Sequence, residues 1–223
     1  MQAAVKAVED AEGAVGVLIN NAGYSQSGAI ESVAMESVRS QFETNVFGLV
    51  RMCQLVLPGM RRQGWGKIVN LSSGGGKFTF PGGGFYHATK HAVESLSDAL
   101  RFEVRGFGVD VIIIEPGLIR TEFSGTVANA IAENTEVDGP YKAFNEQVAT
   151  STKEVYEKGP LAKLGGPPDA VAKAIERAIS ARRPRTRYLV TPSVRVMMAP
   201  HTLRPDRAWD ALLRTQFSQP GKE

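Results

Sequence analysis

Three side chains that can exchange protons and hydrogen bonds lie within one stretch of eighteen residues, from Ser73 to Lys90. Ser73 follows the apolar run 67–71, which predicts a short buried strand, so its hydroxyl belongs to the carboxyl end of that strand. Tyr86 and Lys90 are four residues apart at the start of a helical pattern and therefore share one helix face. Open α/β sheets bind their ligands at the carboxyl ends of their strands. A hydroxyl, a phenol and an ammonium group are thus predicted to meet at such an edge.

The spacing of these residues bears on two interpretations of Tyr86 and Lys90. Taken alone, the pair is equally well explained as a half-buried aromatic residue followed by a solvated lysine. Ser73, however, lies thirteen residues before Tyr86. With this spacing the three residues resemble the active site of the short-chain dehydrogenase/reductase family, in which a Ser precedes a Tyr-x-x-x-Lys motif.

Three further segments resemble signatures of the same family. They are Asn20-Asn21-Ala22-Gly23 at the end of a predicted strand, Asn45-Val46-Phe47-Gly48 inside a predicted helix, and Pro116-Gly117-Leu118-Ile119-Arg120-Thr121 after another strand. The first and third segments alone would also fit simple turns, since Asn, Gly and Pro favour turns in any protein. Asn45 is a poor residue for a helix interior, because its side chain competes for backbone hydrogen bonds. In combination with the Tyr motif, the family resemblance is the favoured interpretation.

The resemblance implies hydride transfer between a nicotinamide and a carbonyl or alcohol carbon, with NAD or NADP as cofactor. Tyr86 would give a proton to the carbonyl oxygen or take it back, and Ser73 would donate a hydrogen bond to that oxygen. Lys90 would hold the nicotinamide ribose, and Asn45 would position a water that links Lys90 to solvent. The residues implied to contact the cofactor are Asn21, Ala22, Gly23, Tyr86, Lys90, Pro116, Gly117, Ile119 and Thr121.

A tyrosine that acts as a base near neutral pH needs a lowered pKa. The free phenol has a pKa of about 10, so a shift of about three units, or about 4 kcal/mol, is required. An ammonium group about 4 Å away supplies about that much at an effective dielectric of about 20. We therefore expect Lys90, one helical turn after Tyr86, to lower the pKa of the phenol.

Periodicity along the chain predicts alternating helices and strands. Strands are predicted at 15–20, 67–71, 110–115 and 188–191, and helices at 1–12, 37–62, 86–105 and 168–182. With the resemblance, this pattern indicates an α/β fold, a Rossmann-like doubly wound parallel sheet in a single domain over 1–223. Residues 122–166 are polar and weakly periodic, and a long segment of this kind in a compact domain is usually functional. The resemblance implies that it forms the substrate lid. Residues 192–223 are a C-terminal extension that the pattern does not place.

One element of the family is absent from this sequence, namely the opening strand, Gly-rich turn and helix that hold the cofactor's pyrophosphate. The glycine runs at 74–76 and 82–84 flank the catalytic segment and lack that strand–turn–helix setting. We therefore expect an N-terminally truncated member of the family, an incomplete domain whose sheet misses its first strands and helices. The alternative is a non-catalytic fragment or relative that keeps the fold but does not bind NAD(P).

Composition places the chain among ordinary globular proteins, with 43% hydrophobic and 22% charged residues and a formal net charge of +3. The basic run 182–187 follows a predicted helix, which favours a solvated helix end and loop over a nucleic-acid site. The single Cys53 excludes an intrachain disulfide. His87, His91 and His201 lack further ligands in the sequence, so no metal site is predicted.

The remaining expectations concern location, substrate and assembly. The sequence contains no signal peptide or membrane-length apolar run, which predicts a cytoplasmic protein. The resemblance is nearest to the branch acting on apolar alcohols, so a steroid-, retinol- or lipid-like small molecule is the expected substrate. The helices around 42–57 and 92–104 are apolar over more than one stripe. Because the family pairs these helices across a two-fold axis, a homodimer or homotetramer is expected.

Overall fold

Short apolar segments form a parallel sheet in the computed structural model, which describes residues 1–136, 138–203 and 205–221, with 200–203 described for the backbone only. The strands are β1 (Val17–Asn20), β2 (Gly66–Leu71), β3 (Val109–Glu115) and β4 (Arg187–Leu189). They are hydrogen-bonded in the order β1-β2-β3-β4, and every neighbouring pair is parallel. The predicted parallel α/β sheet is therefore confirmed.

Helices connect the strands and cover both faces of the sheet. They are α1 (Gln2–Glu12), α2 (Met35–Phe42), α3 (Leu49–Gln63), α4 (Gly84–Val104), α5 (Phe123–Glu133), α6 (Lys142–Glu157), α7 (Pro168–Ser180), α8 (Pro192–Leu203) and α9 (Asp206–Arg214). A π-helical turn, Glu43–Gly48, joins α2 to α3. The single helix predicted over 37–62 is thus continuous but locally widened at Asn45, a distortion that is frequent at functional sites.

The two central strands are apolar on both faces because both faces are covered. Ile68 of β2 and Val111 of β3 belong to a buried cluster shared with α1, α3 and α4. Val69 and Ile112, the next residue on each strand, belong to a second cluster on the opposite face, shared with α7. Successive side chains therefore enter two different cores, which explains the unbroken apolar runs in the sequence.

Residues 122–166 contain two helices, α5 and α6, where the sequence predicts only a weakly periodic segment. Their apolar faces pack on each other through the buried side chains Val127, Ile131, Phe144 and Val148. This cluster gives the segment a small core of its own. Its role as a substrate lid stays a prediction.

The C-terminal extension, which the pattern does not place, begins inside the core. Ser193 and Val194, at the start of α8, are fully buried. Trp209 of α9 is also buried, and its ring centroid lies 5.8 Å from that of Phe80. The extension therefore packs against the segment between β2 and α4.

The basic run 182–187 ends in a side chain with a structural role. Arg187 begins β4 and forms ion pairs with Glu94 (3.1 Å), Asp98 (2.7 Å) and Glu115 (3.3 Å). Lys77 lies 2.6 Å from the same carboxylate of Glu94. Interpreting the whole run as solvated is therefore wrong for Arg187, because the buried carboxylates of Glu94 and Glu115 require cationic partners.

No helix in the described ranges is long and apolar enough to cross a membrane. Among the same residues, no group of three or more His, Cys, Asp or Glu is arranged to hold a metal ion. The side chain of His201, considered above as a ligand, lies outside the described residues.

Candidate active site

Ser73 and Tyr86 meet where β2 ends and α4 begins. Ser73 follows β2 in an extended conformation and starts the short helical turn Gly74–Gly76, and its Oγ accepts a hydrogen bond from Gly75 N at 3.1 Å. Tyr86 lies in the first turn of α4, half-buried, with its ring centroid 5.5 Å from that of Phe123. A hydrogen bond joins the Ser73 and Tyr86 side chains. The predicted serine and tyrosine are thus direct neighbours.

The environment of Tyr86 keeps its phenol protonated. Burial raises the pKa of Tyr86 above its usual value, and the hydrogen bond with Ser73 acts in the opposite direction. Lys90 was expected to lower this pKa. In the structure its ammonium lies 5.7 Å from the centroid of the Tyr86 ring and donates instead to the carbonyl of Leu71 at 2.8 Å. Burial is therefore the larger influence on the phenol.

Lys90 is buried, with only 6% of its surface exposed. Burial lowers the pKa of its ammonium to about 8, and the carboxylate of Glu94, one helical turn further on, opposes this shift. The hydrogen bond to Leu71 O ties the side chain to the carboxyl end of β2. Lys90 therefore places an ammonium group at the carboxyl end of β2. With this lowered pKa, the group loses its charge at a lower pH than an ordinary lysine does.

Asn45 braces the backbone that follows β1. From the π-helical turn its Nδ2 donates to the carbonyl of Tyr24 at 2.9 Å and to Thr89 Oγ1 at 3.1 Å, while its Oδ1 accepts from Tyr24 N at 3.1 Å. A Cβ added at Gly23 would lie 3.1 Å from Asn45 Oδ1 and 3.6 Å from Lys90 Nζ. The amide therefore connects the 21–24 segment to α4 beside the lysine. Its expected role in positioning a water stays a prediction.

The turn after β3 is supported by two residues that the sequence analysis missed. Ser193 Oγ accepts a hydrogen bond from Leu118 N at 2.9 Å and lies 2.8 Å from Thr191 Oγ1. A Cβ at Gly117 would lie only 2.7 Å from Thr191 Oγ1. Thr191 itself has a φ of 87°, a strained conformation for a β-branched residue. Residues at the start of the C-terminal extension thus hold the Pro-Gly turn in place. No local sequence motif predicts this contact.

A cleft of ≈ 570 Å³ opens at this edge of the sheet. Predicted site residues line it, namely Asn21, Gly23, Ser73, Tyr86, Lys90, Pro116, Gly117, Ile119 and Thr121. Ala22 and Asn45 are not among the lining residues; Ala22 is exposed and Asn45 is buried. Further lining residues come from the lid and from α7, and they are Phe123, Tyr156, Pro168, Val171, Ala172 and Ile175. The volume falls within the range of small-molecule and cofactor sites.

The lining also fits the nicotinamide end of a dinucleotide. Lys90 offers a cation for ribose hydroxyls, and the backbone at Gly23 and Gly117 lines the cleft beside it. Ile119 and the α7 side chains Val171 and Ile175 provide an apolar wall. The sequence analysis missed this wall, because residues 168–182 were predicted only as a helix packed on the core.

Comparison with known proteins finds relatives that match most of the chain. The family model for short chain dehydrogenase matches residues 1–132. The chain is 39% identical over 218 residues to the NADPH-dependent 3-dehydrocapnine reductase of Ornithobacterium rhinotracheale, a match that covers 93% of this chain and 74% of that protein. It is 36% identical over 196 residues to the 3-ketodihydrosphingosine reductase of Bacteroides thetaiotaomicron, covering 88% of this chain and 70% of that protein.

Solved structures give the same result. A short-chain dehydrogenase from Streptomyces avermitilis superposes with a TM-score of 0.72 and 31% identity, covering 96% of this chain and 72% of that one. A short-chain dehydrogenase/reductase from Burkholderia phymatum, solved in complex with NAD, superposes with a TM-score of 0.72 and 25% identity, covering 100% of this chain and 74% of that one. The expectation that this chain is truncated stays a prediction.

Proposed function

Because this chain belongs to the short-chain dehydrogenase/reductase family, we propose that it interconverts a carbonyl compound and an alcohol by hydride transfer with NAD or NADP. The observation that carries the proposal is the convergence of Ser73, Tyr86 and Lys90 at one cleft of ≈ 570 Å³. One relative is described as NADPH-dependent and one structural neighbour was solved with NAD, so either nucleotide is compatible.

The cofactor, when bound, supplies or accepts the hydride at its nicotinamide ring. Lys90 would hold the ribose next to that ring, and the backbone at Gly23 and Gly117 would line the nucleotide. Ile119 and Thr121 would contact the nicotinamide from the turn after β3. These assignments rest on the lining of the cleft.

Tyr86 carries the proton. Its raised pKa keeps the phenol protonated at neutral pH, which suits donation to the oxygen of a carbonyl group that is being reduced. Ser73 has a single hydroxyl proton, which is directed to the phenol in the free protein; with substrate bound it would turn to the same carbonyl oxygen as negative charge develops there. The phenol is therefore in the protonation state that carbonyl reduction requires near neutral pH.

An apolar ketone is the substrate class that fits the cleft. Among the described residues that line the cleft, Lys90 is the one that carries a charge, and Phe123, Val171, Ala172 and Ile175 are apolar. The names of two relatives, 3-dehydrocapnine reductase and 3-ketodihydrosphingosine reductase, both describe reduction of an oxidised carbon in a larger molecule. We propose a ketone with a long apolar chain, and 3-ketodihydrosphingosine is the first compound to test. A cytoplasmic location remains a prediction.

The test is reduction of 3-ketodihydrosphingosine, followed as NADPH consumption, by the parent and by Tyr86→Phe. The variant removes the proposed proton donor but keeps the ring, so turnover should fall at least about a hundred-fold. NADPH binding, measured by the fluorescence of the reduced nucleotide, should be the same for both proteins.

Two outcomes would overturn the proposal in different ways. Near-parental turnover by the Phe variant would show that Tyr86 is not the proton donor. A parent that neither binds NAD(P)H nor reduces any ketone would instead support the non-catalytic alternative, a relative that keeps the fold without the cofactor.

A further inference from the structure

The glycine runs 74–76 and 82–84, which have no part in the proposed chemistry, close around one buried side chain. His87 is only 8% exposed. A Cβ at Gly75 would lie 2.5 Å from His87 Nδ1, and a Cβ at Gly83 would lie 2.8 Å from His87 Nε2. Any side chain at either glycine would therefore collide with the imidazole. Each glycine run therefore brings its backbone into direct contact with the imidazole ring.

His87 is hydrogen-bonded to the turn that carries Ser73. Its Nδ1 lies 3.0 Å from the carbonyl oxygen of Gly75, while Gly75 N donates to Ser73 Oγ at 3.1 Å. A carbonyl only accepts hydrogen bonds, so the Nδ1 atom carries the proton. Burial lowers the pKa of His87 to about 4, so the ring is neutral at physiological pH. Gly75 is thus fixed on one side by the imidazole and on the other by the serine.

The same ring also supports Tyr86. The two ring centroids are 5.7 Å apart in an edge-to-face arrangement. Phe78 and Phe80 pack against other parts of the imidazole, at 6.1 and 6.3 Å. The backbone of His87 is anchored as well, because its N–H donates to Gly83 O at 2.9 Å. His87 therefore contacts both the turn of Ser73 and the ring of Tyr86 from a fixed position.

We propose that His87 is a positioning residue, which sets the Ser73 hydroxyl relative to the Tyr86 phenol for proton transfer. This inference rests on the proposed function, since it assigns His87 a part in the same reaction. Without the Nδ1–H group, Gly75 O loses its partner and the Gly74–Gly76 turn is free to shift. A small displacement of Ser73 weakens the one hydrogen bond that its hydroxyl donates, to Tyr86 in the free protein or to the carbonyl oxygen when substrate is bound. A shift of about 1 Å can reduce a rate about a hundred-fold.

Two substitutions at this position separate the hydrogen bond from the volume of the ring. In His87→Asn the amide nitrogen can take the place of Nδ1 and donate to Gly75 O, whereas His87→Leu fills similar space without a donor. We expect H87L to lower kcat for ketone reduction at least about ten-fold and H87N to stay within about three-fold of the parent. KM for NADPH should not change, because His87 does not line the cleft.

A double-mutant cycle with Ser73→Ala tests whether His87 acts through Ser73. If it does, H87L has little further effect in the S73A background, and both single variants shift the pH profile of alcohol oxidation to higher pH. The shift is expected because the Ser73 hydrogen bond lowers the pKa of Tyr86. Independent, additive losses in kcat, or a parental pH profile in H87L, would overturn the inference.

The outcomes also distinguish this inference from the proposed function. An active parent with an equally active H87L protein overturns the role of His87 alone, whereas an inactive parent overturns the proposed function. If H87L does not fold, Gly75→Ala takes its place in the same cycle. The Cβ of this alanine would displace the imidazole from Gly75. The losses in kcat caused by G75A and S73A should then be non-additive, and additive losses would contradict the inference.

Discussion

At the scale of single residues, Lys90 is the proposed site group that titrates nearest to neutral pH. Burial lowers its pKa to about 8, whereas the pKa of Tyr86 is raised. Below about pH 8 the lysine is cationic and can hold the ribose, and above it the charge is lost while Tyr86 is still protonated. We expect kcat/KM for ketone reduction to be level up to about pH 8 and to fall above it. Lys90→Arg keeps its charge throughout this range, so its profile should stay level. A decline in the parent only near pH 10 would contradict the assignment.

Sequence spacing was sufficient to predict that Ser73, Tyr86 and Lys90 lie together at one edge of the sheet, because each position depends on one strand end or one helix face. The electrostatics of the site did not follow from spacing. The pKa of Tyr86 depends on burial beside Phe123, which lies some forty residues further along the chain. The preference of Lys90 for the Leu71 carbonyl likewise depends on how α4 packs against β2. Local pattern gives the chemical groups, and tertiary packing determines their protonation.

At the scale of elements, the lid helix α6 adds a second phenol to the cleft. Tyr156 lines the cleft, and in the described part of the chain its hydroxyl has no hydrogen-bond partner. Burial and the neighbouring Tyr86 both raise its pKa, so the group stays a hydrogen-bond donor. We expect Tyr156 to bind a polar substituent close to the carbonyl. Tyr156→Phe should then reduce kcat/KM about five-fold for a ketone with a neighbouring amino or hydroxyl group, the value of one neutral hydrogen bond of about 1 kcal/mol.

The matched substrate is an unsubstituted ketone of the same chain length, for which Tyr156→Phe should behave like the parent. Equal losses on both ketones would mean that Tyr156 shapes the cleft without recognising a substituent.

The helix α6 itself was not predicted from the sequence, because its apolar residues Phe144 and Val148 form a core mainly with α5. Helices that pack on the sheet can be predicted from the periodicity of their apolar residues. Elements that pack chiefly on each other, such as α5 and α6, give a weaker signal.

At the scale of the whole molecule, large apolar side chains remain exposed near the helices predicted to associate. Phe102 of α4 is 87% exposed, and Phe47 of the π-helical turn is 55% exposed. Leu96 of α4 is also exposed. Covering apolar side chains of this size with another protein removes them from water and stabilises an assembly. We therefore expect a homodimer or homotetramer that buries this surface against a second copy.

Light scattering at micromolar concentration tests this expectation with Phe102→Glu. The charge would have to be buried without a partner in the interface, so the variant should dissociate to monomers while its helical circular dichroism is unchanged. Val196→Glu, an equivalent change at an exposed apolar residue of α8, should leave the assembly intact. A parent that is monomeric at the same concentration would contradict the expectation outright. Dissociation by both variants would indicate that exposed apolar surface in general, rather than the α4 face, holds the copies together.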